Sequence, residues 1–439
     1  MLSPEQNARI TLTGAGQPAG ELLRRYWHPA ALADELDPSR PVVPVRLLGE
    51  DLVLFRSQDG SLGLVNRKCP HRGADLCYGR LEDGGLRCPF HGWLFDRTGQ
   101  CLEQPAEPEG SRMYQRIRIA GYPVVEKNGV VFAYLGPGEP PAFPAFDCFK
   151  APDDYTFAFK GLIESNWLQA LEVGIDPAHA SFLHRYLEDE DTATGYGKQF
   201  RSGIEGGEVP MTQLLREYPR PEINVEQTDF GLRIITLRHM EDGRTHVRVT
   251  NQVFPHAITI PISGEMNITQ WHVPIDDHSC YWYAIFTSFG KPVDKELMRK
   301  QRLELYQLPE YAPKKNKRNN YGYDPAEQRS HTYTGMGMDI NVHDQWAVES
   351  MGPIQDRTIE HLAKSDRAIV QYRKLLQAAI SSVEAGDVGD LPLAVDEECA
   401  ASITGPVAID TIAARADWQT AWMKSDTTRR ERCGWSASK

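Results

Sequence analysis

The order of hydrophobic and polar positions predicts a short helical start followed by many short strands. Ser3-Pro4-Glu5-Gln6 combines a capping serine, a proline at the first helical position and a glutamine that can close a capping box. A second apolar stretch, residues 22–32, predicts helix as far as Pro29. From Val42 the pattern changes to β-rich runs, with hairpin turns at Asp59-Gly60 and Asn128-Gly129. These runs predict a small all-β domain.

A stretch rich in proline and glycine, residues 136–144, can hold neither a helix nor a sheet ladder and predicts a domain boundary. Beyond it, residues 166–171 predict a helix, and four longer β patterns cover residues 232–238, 245–253, 266–273 and 281–287. The turn residues 241–244 join the first two, which favours an antiparallel meander. A helix capped by Ser365 would cover this sheet with its apolar face. The fold class expected is α+β.

The length of 439 residues suits two or three domains. We predict an N-terminal helical segment over residues 1–40, the all-β domain over 41–144, and a larger domain on the antiparallel sheet over 145–385. Residues 386–439 form a C-terminal tail to which the pattern assigns no role.

Composition narrows the function classes. A formal net charge of -12 argues against nucleic acid or an anionic membrane as the main partner. The chain has no apolar run long enough for a membrane span and no basic stretch before an apolar core at its N-terminus, so neither a span nor a signal peptide is expected. The eight cysteines are dispersed, which speaks against a disulfide scaffold and favours the cytoplasm.

Two mixed pairs of cysteine and histidine form the strongest motif. Cys69-Pro70-His71 and Cys88-Pro89-Phe90-His91 give C-x-H and C-x2-H, separated by sixteen residues. Two thiolates and two imidazoles suit either tetrahedral zinc or a [2Fe-2S] cluster in which two histidines replace two cysteines. Zinc fingers usually group cysteine with cysteine, whereas each half here offers one of each, which favours two loops around a two-iron cluster. A zinc-stabilised binding module remains the alternative. Cys77 and Cys101 match no ligand position, and we expect small buried hydrophobes there.

A second group of candidate ligands contains Asp176, His179 and His184. On an ideal helix the two histidines would point roughly 140° apart, so a regular helix would not present both to one metal. Pro177 predicts a break that can re-aim the second imidazole. A [2Fe-2S] cluster stores one electron, and iron(II) held by two histidines and one carboxylate would use it. Four downstream acids could supply that carboxylate: Asp339, Asp344, Glu349 and Asp356.

With Gly92-Trp93 after His91, the first motif resembles the Rieske cluster domain. Together with Asn166-Trp167 and the 176–184 pattern, it resembles the α subunits of Rieske non-haem iron aromatic ring-hydroxylating oxygenases over roughly residues 20–380. Residues 166–172 and 352–362 are most similar to the phthalate dioxygenase group. The resemblance implies a Rieske [2Fe-2S] domain over 41–144 and a helix-grip catalytic domain with a mononuclear iron(II) over 145–385.

The resemblance also implies roles for individual residues. Cys69 and Cys88 would hold one iron of the cluster, and His71 and His91 the other. The mononuclear iron would be held by His179, His184 and Asp344, with Glu349 as the glutamate that the family places about five positions further on. Asp176 would hydrogen-bond His179 and a Rieske histidine, His91, of a neighbouring subunit. From the residues alone Asp176 could also cap the helix that begins at Pro177.

The implied enzyme is a terminal oxygenase that receives electrons from NADH through a separate reductase carrying flavin and [2Fe-2S], and that acts with O2 on an aromatic carboxylic acid. It would be a homotrimer or stacked trimers. The chain itself has no nicotinamide fingerprint, since Gly14-x-Gly16 lacks a third glycine in place. The expected reaction is dihydroxylation of a phthalate-type ring, and the alternative is O-demethylation of a methoxylated lignin-derived aromatic acid. An electron-transfer Rieske protein without oxygenase activity is a further alternative, against which the second ligand group argues.

Four arginines lie on or between the predicted strands, and one or two could pair bidentately with a substrate carboxylate: Arg233, Arg238, Arg244 and Arg248. For any single one of them, a surface position on a strand is the commoner role.

Overall fold

The computed structural model describes residues 1–188, 211–389 and 391–435. The helices are α1 Pro4–Thr11, α2 Pro18–Leu23, α3 Asp147–Lys150, α4 Trp167–Gly174, α5 Ala180–Leu183, α6 Met211–Glu217, α7 Lys295–Leu305, α8 Pro325–Ser330, α9 Ile340–Ser350, α10 Arg367–Glu384, α11 Glu397–Ser402 and α12 Trp418–Arg432. The strands before residue 140 are β1 Trp27–Leu32, β2 Val42–Leu47, β3 Glu50–Arg56, β4 Leu62–Asn66, β5 Arg80–Glu82, β6 Gly85–Arg87, β7 Leu94–Phe95, β8 Cys101–Glu103, β9 Gly121–Tyr122, β10 Val124–Lys127 and β11 Val130–Tyr134. Those after it are β12 Thr156–Ile163, β13 Glu222–Thr228, β14 Gly231–His239, β15 Arg244–Val253, β16 Ala257–Ser263, β17 Met266–Pro274, β18 Cys280–Ser288, β19 Tyr306–Gln307, β20 Ala312–Pro313 and β21 Ile409–Ala414. Within these ranges no helix is both long and apolar enough to cross a membrane.

The chain opens with helix α1, and its capping box forms as predicted, with Ser3 and Gln6 bonding each other's backbone N–H groups. The predicted helix up to Pro29 is wrong in its second half. Helix α2 ends at Leu23, and β1 pairs with β11 in a three-stranded sheet of order β1-β11-β10. Pro29 lacks an N–H group, but β1 is an edge strand whose register shifts after Pro29, and an edge strand tolerates that loss.

The part of the chain that carries the two mixed motifs is built from two four-stranded antiparallel sheets, β2-β3-β4-β9 and β5-β6-β7-β8. A small core of its own lies between them, and it includes the side chains of Val53, Phe55, Leu86 and Trp93. Cys69 and Cys88 belong to the same core. The mixed motifs are therefore held by a rigid all-β unit.

The second half of the chain folds around one long antiparallel sheet of order β12-β18-β17-β16-β15-β14-β13. The four predicted strands form as β14, β15, β17 and β18, and the antiparallel meander is confirmed, but it also contains β16, which the pattern did not predict. The fold class is α+β, as predicted. On one face the sheet packs against the first half, where Trp271 meets the ring of Phe132 edge to face. Helix α4 lies on the other face. Its Gly174 packs so closely on Ile258 that an added Cβ atom would lie 2.7 Å from Ile258 Cδ1.

The C-terminal tail, to which the sequence assigned no role, completes this sheet. Strand β16 pairs with β15 only over Asn251–Val253, and β21 pairs with the remaining half of the same edge, from Arg244 to Val249. Helix α12 then covers β21 and β15 with Trp422, which packs on Val247 and Ile409. The tail thus closes an edge that would otherwise present unpaired backbone groups.

Candidate metal centres

The two mixed motifs form loops with the same backbone geometry. In the first, Cys69 N–H donates to Ala74 O and Gly73 N–H donates to Cys69 O. In the second, Cys88 N–H donates to Trp93 O and Gly92 N–H donates to Cys88 O. Both glycines have φ of 76°, a conformation that other residues rarely adopt. The matched loops direct one cysteine and one histidine each toward the space between them.

The side chains of these loops lack the partners that buried polar groups need. The rings of His71 and His91 lie 4.3 Å apart at 73°, and Trp93 stacks on His71 at 4.6 Å. The Nδ1 atoms of both histidines are buried and have no hydrogen-bond partner among the described residues. Cys69 and Cys88 are buried and form no disulfide. Two thiols and two unpaired imidazole nitrogens fit the donor set of a histidine-containing [2Fe-2S] cluster.

His179, His184 and Asp344 meet at one point, with one ligand atom from each within 4.8 Å of the others. The Nε2 atoms of the two histidines are 3.2 Å apart. Asp344 Oδ1 is 3.2 Å from His184 Nε2 and 3.7 Å from His179 Nε2. This oxygen is buried and accepts no hydrogen bond from the described residues, so the group fits a two-histidine, one-carboxylate metal site.

The two histidines converge because the helix between them is only one turn long. His179 has helical backbone angles and precedes α5, whereas His184 already leaves the helical region, with φ of -105° and ψ of 23°. Asp176 Oδ1 accepts the N–H of Ala178, 2.8 Å away, at the turn that Pro177 opens. The predicted break at Pro177 thus gives both imidazoles access to one metal.

Asp176 contacts His179 differently from the prediction. The backbone carbonyl of Asp176 accepts the proton of His179 Nδ1, and the Asp176 carboxylate oxygen Oδ2 lies 3.9 Å from that nitrogen, beyond hydrogen-bond distance. The other carboxylate oxygen, Oδ1, accepts the N–H of Ala178 in the turn before α5. The alternative role, capping a helix that begins at Pro177, is wrong, because α5 begins at Ala180 and its N-cap residue is His179. Because a carbonyl can only accept, His179 Nε2 is left with a lone pair for a metal.

Asp344 lies in the second turn of α9, and the other three acids have different positions. Asp339 caps α9 by accepting the N–H of Asn341. Asp356 accepts from Thr358 in an exposed turn. Glu349 is buried and accepts the hydroxyl of Tyr321 at 2.8 Å, which anchors α9. Among the four candidates, the structure therefore brings only Asp344 to the histidines.

Polar side chains at the start of α4 fix this helix, and one of them ties it to the end of α9. Asn166 caps α4, and its amide donates to the carbonyls of Thr11 and Asp277. Gln169 donates to Val348 O and Gly352 O, at 2.9 and 2.8 Å, at the end of α9. These bonds give physical roles to a stretch whose similarity to the family carried no explanation by itself.

Glu172 is fully buried on the same helix between two arginines. It accepts from Arg357 at 2.8 Å and from Arg373 at 2.5 and 3.1 Å. Burial by itself would raise the pKa of Glu172, but the two guanidinium groups outweigh burial and hold the pKa below its ordinary value. This triad joins α4 to α10 and to the segment after α9.

The electrostatics of the second centre favour the metal-binding forms of its residues. Burial, and then the neighbouring His184, lower the pKa of His179, so the neutral imidazole predominates at neutral pH. Burial would raise the pKa of Asp344, but its interactions with His184 and His179 outweigh burial and lower the pKa. An ionised carboxylate beside neutral imidazoles is the protonation state that a divalent metal requires.

The four candidate arginines differ in position, and two of them lie on the sheet face beneath this centre. Arg238 lies opposite His246, and its Nη2 is 3.4 Å from both Pro177 O and Ser181 Oγ, on either side of His179 in the chain. Arg248 points to the same face, where Asp410 pairs with it at 2.6 Å.

The other two arginines lie elsewhere. Arg233 points to the opposite face and lies over the ring of Trp422. Arg244 pairs with Asp242 in the exposed hairpin turn. Neither therefore belongs to the site.

Arg238 is 2% exposed, and no carboxylate among the described residues lies within ion-pair distance of it. Its Nε and Nη1 atoms have no hydrogen-bond partner there, and the same holds for Thr236 Oγ1 and His246 Nδ1 on the same face. Burial lowers the pKa of Arg238 to about 10, so it stays charged at neutral pH. A buried cation whose own N–H groups are unpaired is suited to an anionic ligand, whereas His246 Nδ1, in a neutral ring that donates through Nε2 to Asp410, can only accept.

Sequence reasoning missed His343 and Ser181, which contact His184 and Arg238, respectively. His343 had one signal, its position directly before Asp344. Ser181 had none, because its contact depends on how α5 lies over the sheet.

Comparison with known proteins supports this assignment of the two centres to one chain. Residues 26–123 match the Rieske [2Fe-2S] domain, and residues 133–429 match the family described as LigXa C-terminal domain like. The phthalate 4,5-dioxygenase oxygenase subunit of Pseudomonas putida is 34% identical over 401 residues, which cover 88% of this chain and 88% of that protein. The 5,5'-dehydrodivanillate O-demethylase oxygenase subunit of Sphingobium sp. (strain NBRC 103272 / SYK-6) is 32% identical over 396 residues, covering 88% and 82%.

Among solved structures, the Pseudomonas putida CBB5 NdmA QL mutant with theobromine superimposes with a TM-score of 0.58 over 87% of this chain and 97% of that one, at 19% identity, and so supports the fold alone. The family predicted from the motifs is confirmed by the two domain matches and by the length over which the relatives align. The chain belongs to the Rieske non-haem iron aromatic ring-hydroxylating oxygenases, as an α subunit of the phthalate dioxygenase-like group.

Proposed function

We propose that this terminal oxygenase uses O2 and electrons from NADH, delivered by a separate reductase with flavin and [2Fe-2S], to dihydroxylate an aromatic carboxylic acid of the phthalate type. The observation that carries the substrate class is the buried Arg238, whose Nε and Nη1 have no hydrogen-bond partner among the described residues, next to the turn that holds His179. The relative that acts on phthalate, by its name, supports the same choice.

In this proposal the metals are held by the residues that the structure brings together. Cys69 and Cys88 would bind one iron of the Rieske cluster and His71 and His91 the other. His179, His184 and Asp344 would bind the mononuclear iron(II). When bound, the cluster supplies single electrons and the mononuclear iron supplies the activation of O2.

The protein's own contribution is to position and enclose the substrate. The Arg238 guanidinium would hold the carboxylate bidentately, which fixes the ring relative to His179 and His184. His246, which bonds Asp410 at 3.0 Å through Nε2, has Nδ1 left for a second polar group of the substrate.

Electron transfer between the centres would cross a subunit boundary in a homotrimer or a pair of stacked trimers. Asp176, whose backbone carbonyl accepts from His179, would offer its carboxylate oxygen Oδ2 to His91 of the neighbouring subunit. Its carboxylate is 20% exposed, and Oδ2 is not the oxygen that accepts the N–H of Ala178. Burial raises the pKa of this carboxyl, against the attraction of His179.

O-demethylation of a methoxylated aromatic acid is the second candidate. The similarity to a dehydrodivanillate O-demethylase subunit favours it, because that protein aligns over nearly as much of the chain as the phthalate enzyme does. Such a substrate also carries a carboxylate, so Arg238 would serve either reaction.

A reconstituted assay with NADH and a reductase of the phthalate dioxygenase type separates the two reactions. A product that gains two oxygens and two hydrogens from phthalate or a related acid supports dihydroxylation. Formaldehyde release from methoxybenzoates supports demethylation instead. NADH oxidation without any product from either class, with the metals at full occupancy, would contradict the proposed substrate class.

A further inference from the structure

His343 occupies a fully buried position between a candidate iron ligand and a backbone carbonyl. It precedes Asp344 in α9 and has no solvent exposure. Its Nε2 lies 2.8 Å from Gly337 O, and its Nδ1 lies 3.4 Å from His184 Nδ1. The two rings are 25° from coplanar and their centroids are 5.6 Å apart, so they meet edge to edge, as a hydrogen bond between ring nitrogens requires.

The chemistry of these contacts fixes where the protons are. The Gly337 carbonyl can only accept, so His343 Nε2 carries a proton. In the neutral imidazole Nδ1 then has a lone pair, and His184 Nδ1 must be the donor to it. His184 Nε2 is consequently left without a proton, on the side where His179 Nε2 and Asp344 Oδ1 lie.

The two candidate histidine ligands are therefore oriented by different means. His179 donates directly to the carbonyl of Asp176, within the same turn of chain. His184 reaches a carbonyl only through the ring of His343. The tautomer of His184 is thus set by the side chain of His343, which a substitution can remove.

The loop that carries Gly337 has supports that do not involve His343. Gly337 N–H donates to Glu327 Oε1 at 2.8 Å, and Thr332 Oγ1 donates to the same oxygen at 2.8 Å. Lys315 donates to Met336 O at 2.8 Å. Loss of the imidazole would therefore remove the contact with His184 while leaving the loop anchored.

We propose that His343 is a positioning residue that holds His184 in the tautomer with Nε2 free for the metal. The inference rests on the proposed function, in that His184 is taken as a ligand of the mononuclear iron. Outer partners of this kind typically contribute 10- to 100-fold to metal affinity.

Three substitutions separate this role from packing. His343→Asn places an amide oxygen near the position of Nδ1 and can still accept from His184, but it cannot reach Gly337. His343→Gln places its amide near the position of Nε2, so it can still donate to Gly337 and offers His184 no acceptor. His343→Leu fills the space and does neither. If the leucine variant does not fold, the asparagine and glutamine pair carries the test alone.

The readout is the affinity for cobalt(II) in protein whose mononuclear site has been emptied, measured against a competing chelator. Cobalt is distinguished from cluster iron by metal analysis, and the visible spectrum of the Rieske cluster reports that the fold is intact. We expect roughly 10- to 100-fold weaker cobalt binding in the leucine and glutamine variants, and recovery to the wild-type affinity in the asparagine variant.

Three outcomes would overturn the inference. Wild-type affinity in the leucine variant would mean that no acceptor is needed. Recovery by glutamine and not by asparagine would assign His343 to the Gly337 contact. Failure of the wild-type protein to bind one cobalt that Asp344→Asn removes would instead overturn the proposed metal site, and the inference with it.

Discussion

Replacing Arg238 by methionine should stabilise the substrate-free protein and weaken substrate binding at the same time. Two of its guanidinium donors have no partner among the described residues, and each unpaired buried donor costs about 1–3 kcal/mol. Methionine keeps much of the apolar stem without the charge. We therefore expect the free energy of unfolding to rise by about 2 kcal/mol, near the lower end of the sum for two donors.

The same substitution should weaken the binding of the substrate carboxylate. Truncating one partner of a buried charge pair typically costs about 2–5 kcal/mol, which is roughly 30- to 5,000-fold in the dissociation constant. The assay compares binding of an aromatic acid with that of its neutral amide, in wild-type and Arg238→Met protein, together with the apparent Tm of each. Affinity for the acid should fall by that factor, whereas affinity for the amide should change little.

Two matched controls come from the same strands. Arg248→Met removes a partner of the buried Asp410, so it should lower the Tm, the opposite sign to Arg238→Met. Arg233→Met lies on the opposite face and should leave the preference for the acid unchanged. If Arg238→Met protein still prefers the acid over the amide as strongly as the wild type does, Arg238 does not bind the carboxylate.

Three further predictions concern the turns and helices around the centres. Glu172→Gln leaves two buried arginines short of a negative charge and should destabilise the fold by about 3–5 kcal/mol in chemical denaturation. Because the pKa of Glu172 is below 4.5 in the folded chain, its contribution is complete above that pH and is lost as the pH falls through the folded-state pKa; the stability difference between wild type and variant should shrink accordingly in acid. Asp176→Asn keeps an oxygen for the N–H of Ala178, so the fold and the reducible cluster should survive while product formation nearly stops; turnover near the wild-type rate would remove Asp176 as the bridge. Gln169→Leu leaves two carbonyls at the end of α9 without donors, at about 1–3 kcal/mol each, and should release mononuclear metal while the cluster spectrum persists, whereas unchanged metal content would show that α9 is held by other contacts.

Much of the chemistry could be read from the sequence because ligand types and local breaks are properties of short segments. Cys69-Pro70-His71 and Cys88-Pro89-Phe90-His91 contain their own donor set. Pro177 predicted that the two downstream histidines would not share a regular helix, and α5 between them is indeed only one turn long. Alternating apolar and polar positions predicted four strands of the second half, because a period-two pattern can be recognised without knowing the distant partner strand.

Contacts between segments distant in sequence could not be read in that way. Strand alternation puts Arg233 and Arg238 on opposite faces of β14, but only the position of α5 above the sheet decided which face carries the site. Both are strand arginines with similar neighbours in sequence. Likewise, β1 is a strand because its backbone hydrogen-bonds to β11. The local propensity of residues 22–32 does not predict this pairing.

The sequence by itself contained the cysteine and histidine donors of the first centre, the two histidines of the second and the helix break between them, and it predicted the family, because these follow from residue types at short spacings. The tertiary structure alone brought Asp344, among the four candidate acids, to the two histidines, and showed that the carbonyl rather than the carboxylate of Asp176 orients His179. It alone decided that Arg238 is buried with two nitrogens unpaired among the described residues, and that His343 lies behind His184. These depend on where one element lies against another. That position is set by packing over the whole sheet and not by the residues that meet there.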